Sequence, residues 1–520
     1  MSIRLSPVFS DGMVLQRDDD ITVRGISAPG ETVKINFGGA DFLAKAGEDG
    51  GWACFMGKFP ASGERREMRI TSETDEIVIR DILTGDVWLC SGQSNMELAL
   101  DRARHNYPDE MAASDAMLRQ LRVPQVYNFN APTSGLELPE CAWEAFSPET
   151  APNFTAVGYF FAKKLRERFK IPVGLLACAV GGTPVAAWMS RPTLEKLNLR
   201  DEVAEADDLA KNPGRIGRTL RDYELYESDY HKRLDEADEG VKCGWHAENR
   251  DDGDWETVPL CESVGGAGAY WYRRTFDVPP ELSGAQAVIF LGTALDMDEV
   301  YLNGEKIGTA YYRYPPREYK FTLPEGKMTL AARLLCFNAP GGFTAGKNHF
   351  IATENGCVDL SGLWKRRLGT AFEEKKPQTF FAYKPTGLFN GMISPLLEYA
   401  VKGVIWYQGE SDAHAPERYG EKMRALISDW REGWRDENMP FLLTQLAYYG
   451  GEGDNGWEAL RAQQKQCLRL KNTGLAAAYD LGEYNDLHPQ NKRDVGERLA
   501  RLAARLAYGE TAPPNMFEMY

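Results

Sequence analysis

Three apolar runs of strand length, GDVWLC (85–90), PVGLLACAV (172–180) and GVIWYQGE (403–410), each lead into a loop of glycines and polar side chains. Short apolar runs bounded by turn residues read as strands buried on both faces. Buried strands of this kind belong to parallel sheets, and a parallel sheet needs helices to cover it. The pattern supplies them. Residues 156–170, AVGYFFAKKLRERFK, alternate as an amphipathic helix, and 417–434 place Trp430 and Trp434 one turn apart. The last helix carries Val495, Leu499, Leu502 and Leu506 on one face, with Gly509 placed to cap it. FLLTQLAYY and GLAAAYDLG are two further strands. The chain is therefore read as α/β, with a parallel sheet between helices.

Two stretches depart from this alternation. Residues 1–80 hold short β-branched segments (ITVRG, TVKINFG, EIVIRDIL) separated by Gly and Asp turns, which predicts a small β-sandwich. Residues 241–370 return to β character with YWYRRTFDVP, AVIFLG and TLAARLLCF. Within them LNGEK sets Asn-Gly between two runs, a hairpin signal. The α/β region is thus expected in two parts, 81–240 and 371–512, around an inserted β module. For 520 residues this organisation agrees with about 100–200 residues per domain.

Composition removes several classes of function. The formal net charge is -16; such a surface repels phosphate backbones, so no nucleic-acid partner is expected. No run of about 18 apolar residues occurs, so no membrane span is expected. Nine scattered cysteines form no CxxC pair, which predicts reduced thiols. With no apolar signal core near the N-terminus, a cytoplasmic location is expected, or secretion for a chain whose leader has been removed. HExxH, Walker and Rossmann signatures are missing, so no metal and no cofactor are expected.

The chemistry is sought where the strands end, because open α/β sheets bind ligands at the carboxyl ends of their strands. The loops after the three runs are SGQSNME, GGTP and GESD, and a fourth polar segment, YNDLHPQN, follows the strand near 474–482. Ser94, in Gly92-Gln93-Ser94-Asn95-Met96-Glu97, stands where a turn gives way to a helix, and a nucleophile there would meet free backbone N–H groups. The same letters also read as a capping box, with Ser94 as cap and Glu97 reaching back; Ser91 is a rival nucleophile. Of six histidines, His488 stands before a proline and is pushed towards extended backbone. That sets Asp486, two residues earlier, on the same side as its ring, where a carboxylate fixes the imidazole tautomer. His414 is a second histidine near a polar loop. Gly182 in GGTP and the Gln408 amide are candidate oxyanion donors, beside the Ser94 N–H. Glu410 is the rival acid. Asn95 and Trp406, with Glu410, are candidate auxiliary or substrate residues.

Five segments in order, SDGMVLQR, GDVWLCSGQSNMEL, GGTPVAAWMS, FNGMISPLLEYAVKGVIWYQGESDA and DLHPQNK, resemble the sialate O-acetylesterase family within the wider SGNH (GDSL-like) hydrolases. The resemblance implies a flavodoxin-like three-layer catalytic domain with a β domain in front and a β module inside. It implies Ser94 as nucleophile, His488 as base, Asp486 as its partner, and an oxyanion hole from Ser94, Gly182 and Gln408. Two features depart from the wider superfamily: Asp-x-His stands where many members have Asp-x-x-His, and Gln408 where an asparagine is usual. The first keeps Glu410 open as the acid. The inserted module resembles the jelly-roll domains of many glycosidases, which implies a carbohydrate context by analogy. The expected substrate is an acetylated sugar, sialate first and acetylated xylan or other plant polysaccharide second. A carbohydrate-binding protein on an inactive hydrolase core is the alternative of another class. The joint presence of Ser94, Gln408, Asp486 and His488 argues against it.

Overall fold

The structure is a computed structural model describing residues 2–450, 456–511 and 516–519. It divides into two compact units: Met1–Ile216 with Phe380–Tyr520, and Gly217–Thr379.

The first unit is organised by one sheet. Its strands are β1 (Glu76–Gly92), β2 (Asp115–Arg122), β3 (Trp143–Phe146), β4 (Val173–Ala179), β5 (Gly403–Tyr407), β6 (Phe441–Thr444), β7 (Thr473–Ala476) and β8 (Glu518–Met519). They lie in the order β3-β2-β4-β1-β5-β6-β7-β8. Every pair from β2 to β7 is parallel, and the two outer pairs are antiparallel. The five helices used below are α1 (Ser94–Glu97), α2 (Ala156–Phe169), α3 (Pro213–Ala237), α4 (Tyr419–Trp434) and α5 (Lys492–Leu506).

Strand alternation decides which helix covers which face. Trp88 of β1 meets Phe161 of α2 edge-on at 5.0 Å. Two residues on, Cys90 lies under Gly158 of α2, where a Cβ would stand 3.1 Å from its sulfur. Gly496 lets α5 close on the backbone of α2 at Val157 and Phe161. The other face belongs to α4. Trp406 of β5 is in register with Ser91, so it points away from Cys90 and α2. Its ring meets Trp430 at 5.6 Å and Trp188 at 6.1 Å.

Residues 1–80 form two facing sheets. One holds Arg4–Leu5, Ile21–Ile26 and Gly51–Gly57; the other is built on Thr32–Phe37, Ala40–Lys45 and Ser62–Thr71. Val23 and Cys54 face Val33, Ile35 and Ile70 in a core that is continuous with that of the central sheet. The reason is β1 itself. It is 17 residues long; its first half pairs with Ser62–Thr71 and its second with β4 and β5. The boundary set at 80/81 from sequence therefore falls inside one strand, where Asp81 has φ of 58° and the pairing with Ser62–Thr71 shifts register.

The second unit holds a six-stranded and a four-stranded sheet, both antiparallel. Tyr272 and Leu334 of one and Ile289 and Ile351 of the other share a core. The Asn-Gly signal is a turn between Met297–Leu302 and Glu305–Ala310, with φ of 46° at Asn303 and 88° at Gly304. The unit runs 217–379 where the sequence set its insertion at 241–370, because the charged helix α3 belongs to it from Gly217 onward. Residue 512, the expected end of the last segment, lies outside the described residues. Among the described residues no helix is long and apolar enough to cross a membrane.

Candidate active site

All four polar loops leave the carboxyl edge of the central sheet, following β1, β4, β5 and β7. Backbone hydrogen bonds stitch the strand ends together. Gln93 N donates to Tyr407 O at 2.9 Å, and Val180 N to Gly92 O at 3.2 Å. The approach demands glycine at 92: φ is 128°, and a Cβ would lie 2.2 Å from Tyr407 O.

Ser94 opens α1, which is a single turn capped by Gln93 with no side-chain cap bond. The capping-box alternative is thereby set aside. Glu97 turns outward instead and takes Gly181 N at 2.6 Å and Gln125 Nε2 at 2.7 Å. A one-turn helix has little dipole, so local N–H groups carry the electrostatics. Ser94 N is a first-turn donor with no intrahelical partner. Among the described residues neither it nor Gly182 N has an acceptor. Gly182 has φ 76°, and a Cβ on it would stand 2.1 Å from the Tyr383 hydroxyl. Glu97 thus holds Gly181 while Tyr383 covers Gly182, which leaves the Gly182 N–H as the donor of that turn. Ser91, the rival nucleophile, is wholly buried below.

His488 Nε2 lies 2.9 Å from Ser94 Oγ. Asp486 Oδ1 accepts the backbone N–H of His488 at 2.8 Å, which fixes the loop, and its charge favours the imidazolium. Burial foremost, then Lys492 and, to a lesser degree, Arg102, push His488 down to about 4 against the pull of Asp486. The imidazole is therefore neutral at ordinary pH and able to accept a proton.

Four sequence expectations need correction. Trp406 is fully buried, because its register with Ser91 turns the indole into the core under Trp188 and Trp430; it cannot meet a substrate. Gln408 is also fully buried. Both its amide hydrogens are engaged, by Thr183 O at 3.1 Å and Asp412 Oδ2 at 2.6 Å, while Tyr419 donates to Oε1. It holds the GGTP turn from below and offers no N–H to an oxyanion. Glu410 accepts from Asn95 Nδ2 at 2.5 Å and is pushed up by burial. It does not figure among the charges that act on His488, whereas Asp486 does. Asn95 spends its second amide hydrogen on Leu487 O at 3.1 Å, so it braces the histidine loop rather than a ligand. His414 lies exposed on the surface.

Sequence reasoning missed Glu97 as a brace, Tyr383 over Gly182, Gln93, whose Oε1 accepts from Gly409 N and Ser411 N, and Lys492. Lys492 had a readable signal. It lies in line with Val495, Leu499 and Leu502, on the apolar face of an amphipathic helix. No group of three or more metal-binding side chains occurs among the described residues.

Comparison with known proteins places the chain in a family. The chain is 22% identical to sialate O-acetylesterase of Rattus norvegicus over 98% of its length and 74% of that protein's. It is 35% identical to the Homo sapiens enzyme over 24% of this chain and 28% of that one. A crystal structure of a carbohydrate acetylesterase from Xanthomonas citri is 27% identical and superposes with a TM-score of 0.60, covering 98% of this chain and 76% of that chain. Residues 84–212 and 370–505 match the family described as carbohydrate esterase, sialic acid-specific acetylesterase. These two stretches contain every strand end that builds the site, and the chain belongs to that family.

Proposed function

We propose that this protein hydrolyses acetyl esters of sugars through an acetyl-enzyme on Ser94, with O-acetylated sialic acid as the first-choice substrate. The carrying observation is the 2.9 Å contact of His488 Nε2 with Ser94 Oγ at the carboxyl edge of the sheet. The parallel sheet between helices supports an SGNH-type, flavodoxin-like reading of the first unit, and the paired antiparallel sheets support a jelly-roll-like reading of the second.

The reaction balances on this chain's own groups. His488 Nε2 takes the Ser94 proton as Oγ attacks the acetyl carbonyl carbon, and the carbonyl electron pair moves to oxygen. Ser94 N and Gly182 N donate to that oxygen. The carbon–oxygen bond to the sugar then breaks, and His488 returns its proton to the sugar oxygen. Water attacks the acetyl-enzyme with His488 again as base, and acetate and free Ser94 result. Asp486 favours the imidazolium formed in each half.

Gly182→Ala tests the oxyanion assignment. It places a methyl against Tyr383 and strains a positive φ, so kcat is expected to fall by about 10²–10³-fold. Unchanged kcat in the folded variant would remove Gly182 from the mechanism.

A second substrate class has its own observation. Phe380 stacks on Tyr383 at 4.9 Å and 23° and is 46% exposed, and Tyr383 in turn covers Gly182. An aromatic pair of this kind suits the apolar face of a neutral pyranose, which favours acetylated xylan fragments. Arg102, close enough to act on His488, favours a carboxylated sugar. Acetate release from O-acetylated sialic acid and from acetylated xylo-oligosaccharides, compared by kcat/KM, decides between them. Faster turnover of the sialate supports the first reading, and faster turnover of xylan fragments the second. Release from neither, with binding of both, would establish a binding protein.

A further inference from the structure

Lys492, at the first turn of α5, is 1% exposed. Its Nζ donates to Asn95 Oδ1 at 2.5 Å and lies 5.7 Å from the Tyr407 ring centre. Asn95, next to the nucleophile, donates in turn to Glu410 and to the carbonyl of Leu487, next to the base. One ammonium is thus linked through one amide to the helix of Ser94, the loop after β5 and the loop of His488. The charged groups that face Lys492 are Asp486 and Glu483 from the histidine loop, Glu410 from the β5 loop and Arg102 from the segment after α1; the Tyr407 phenol belongs to β5. Those that face His488 are Lys492, Asp486 and Arg102.

A methionine would fill this space with no charge to bury. Well-packed apolar replacements of buried ion pairs are often neutral or stabilising, so packing alone does not account for the ammonium. Burial pushes Lys492 down to about 8 against the pull of Asp486, Glu410 and Glu483, so the charged form predominates at neutral pH.

We propose that Lys492 is a positioning residue for the Ser94–His488 pair, holding nucleophile and base in register through Asn95 and setting the charge around the imidazole. The proposal rests on the esterase reading above. Lys492 is buried behind Asn95, so its effect falls on kcat and on the protonation of His488 rather than on binding.

The test is the pH profile of p-nitrophenyl acetate hydrolysis by the wild type, Lys492→Met and Lys492→Arg, with Ser94→Ala as control. Lys492→Met is expected to lower kcat by about tenfold or more, the scale of a misplaced catalytic pair, with KM within about twofold of wild type. Lys492 and His488 carry like charges, so removing the ammonium raises the affinity of His488 for its proton. The acid limb of kcat/KM therefore moves to higher pH in Lys492→Met and returns towards wild type in Lys492→Arg. An acid limb that stays in place in folded Lys492→Met, or an unchanged kcat, overturns the proposal. Should Lys492→Met lose its cooperative thermal transition, Asn95→Ser cuts the same link with the lysine present. A kcat equal to wild type in that variant overturns the proposal equally. If Ser94→Ala keeps full activity, it is the esterase reading that has failed. If Ser94→Ala is inactive and the Lys492 variants behave as wild type, only the present proposal has failed.

Discussion

Replacing Ser94 by alanine is expected to lower kcat for p-nitrophenyl acetate by about 10⁴-fold or more, the scale seen when a serine hydrolase loses its nucleophile. The thermal midpoint should not move. Ser94 is not the cap of its helix, since Gln93 occupies that position, and no side-chain cap bond is lost. A serine-reactive fluorophosphonate should label the wild type at Ser94 and leave the variant unlabelled. His488→Ala should fall to a similar rate, and the double variant should be hardly slower than either single one, because the pair acts as a unit. Full activity in Ser94→Ala, or labelling at another serine, would remove Ser94 as nucleophile and reopen the choice of site on this edge.

Asp486→Asn is expected to lower kcat by about 10²–10⁴-fold, whereas Glu410→Gln should stay within about tenfold of wild type. The two carboxylates differ in what they face. Asp486 accepts the His488 backbone N–H and favours the charged imidazole. Glu410 faces Asn95, and a glutamine keeps an oxygen there to accept the same hydrogen bond. Steady-state rates near neutral pH measure both, with circular dichroism to confirm folding. Reversed magnitudes would make Glu410 the dominant acid and would put the Asp-x-His spacing to structural use only.

The candidate site was legible where chemistry and local backbone coincide. Ser94 follows a turn that only glycine permits at Gly92, and Asp486 and His488 lie two residues apart before a proline. Both statements concern a few consecutive residues. The errors came where a side chain's direction depends on strand register. Trp406 and Gln408 stand within three residues of each other at one strand end, and both read as exposed to a ligand. Register with β1 buries the first under α4, and the second sits below the GGTP turn with its amide already engaged. The domain boundary near 80 failed for a related reason. Turn residues mark where a chain bends, and β1 does bend at Asp81, with φ of 58°, yet it runs on as one strand from the front sheets into the central one.

By itself the sequence pointed to the layered α/β plan, the inserted β module, the hairpin at Asn303-Gly304 and the serine and histidine that the fold brings within 2.9 Å of each other. Those follow from periodicity, turn chemistry and short motifs, all of which are local. Only the tertiary structure decided that Glu97 belongs to Gly181, that Tyr383 covers Gly182, that Gln408 is a brace, and that Lys492 reaches Asn95. These pairings join residues tens to hundreds of positions apart. Their partners are set by which strands lie side by side and which face each helix covers, and no local pattern in a single chain encodes that.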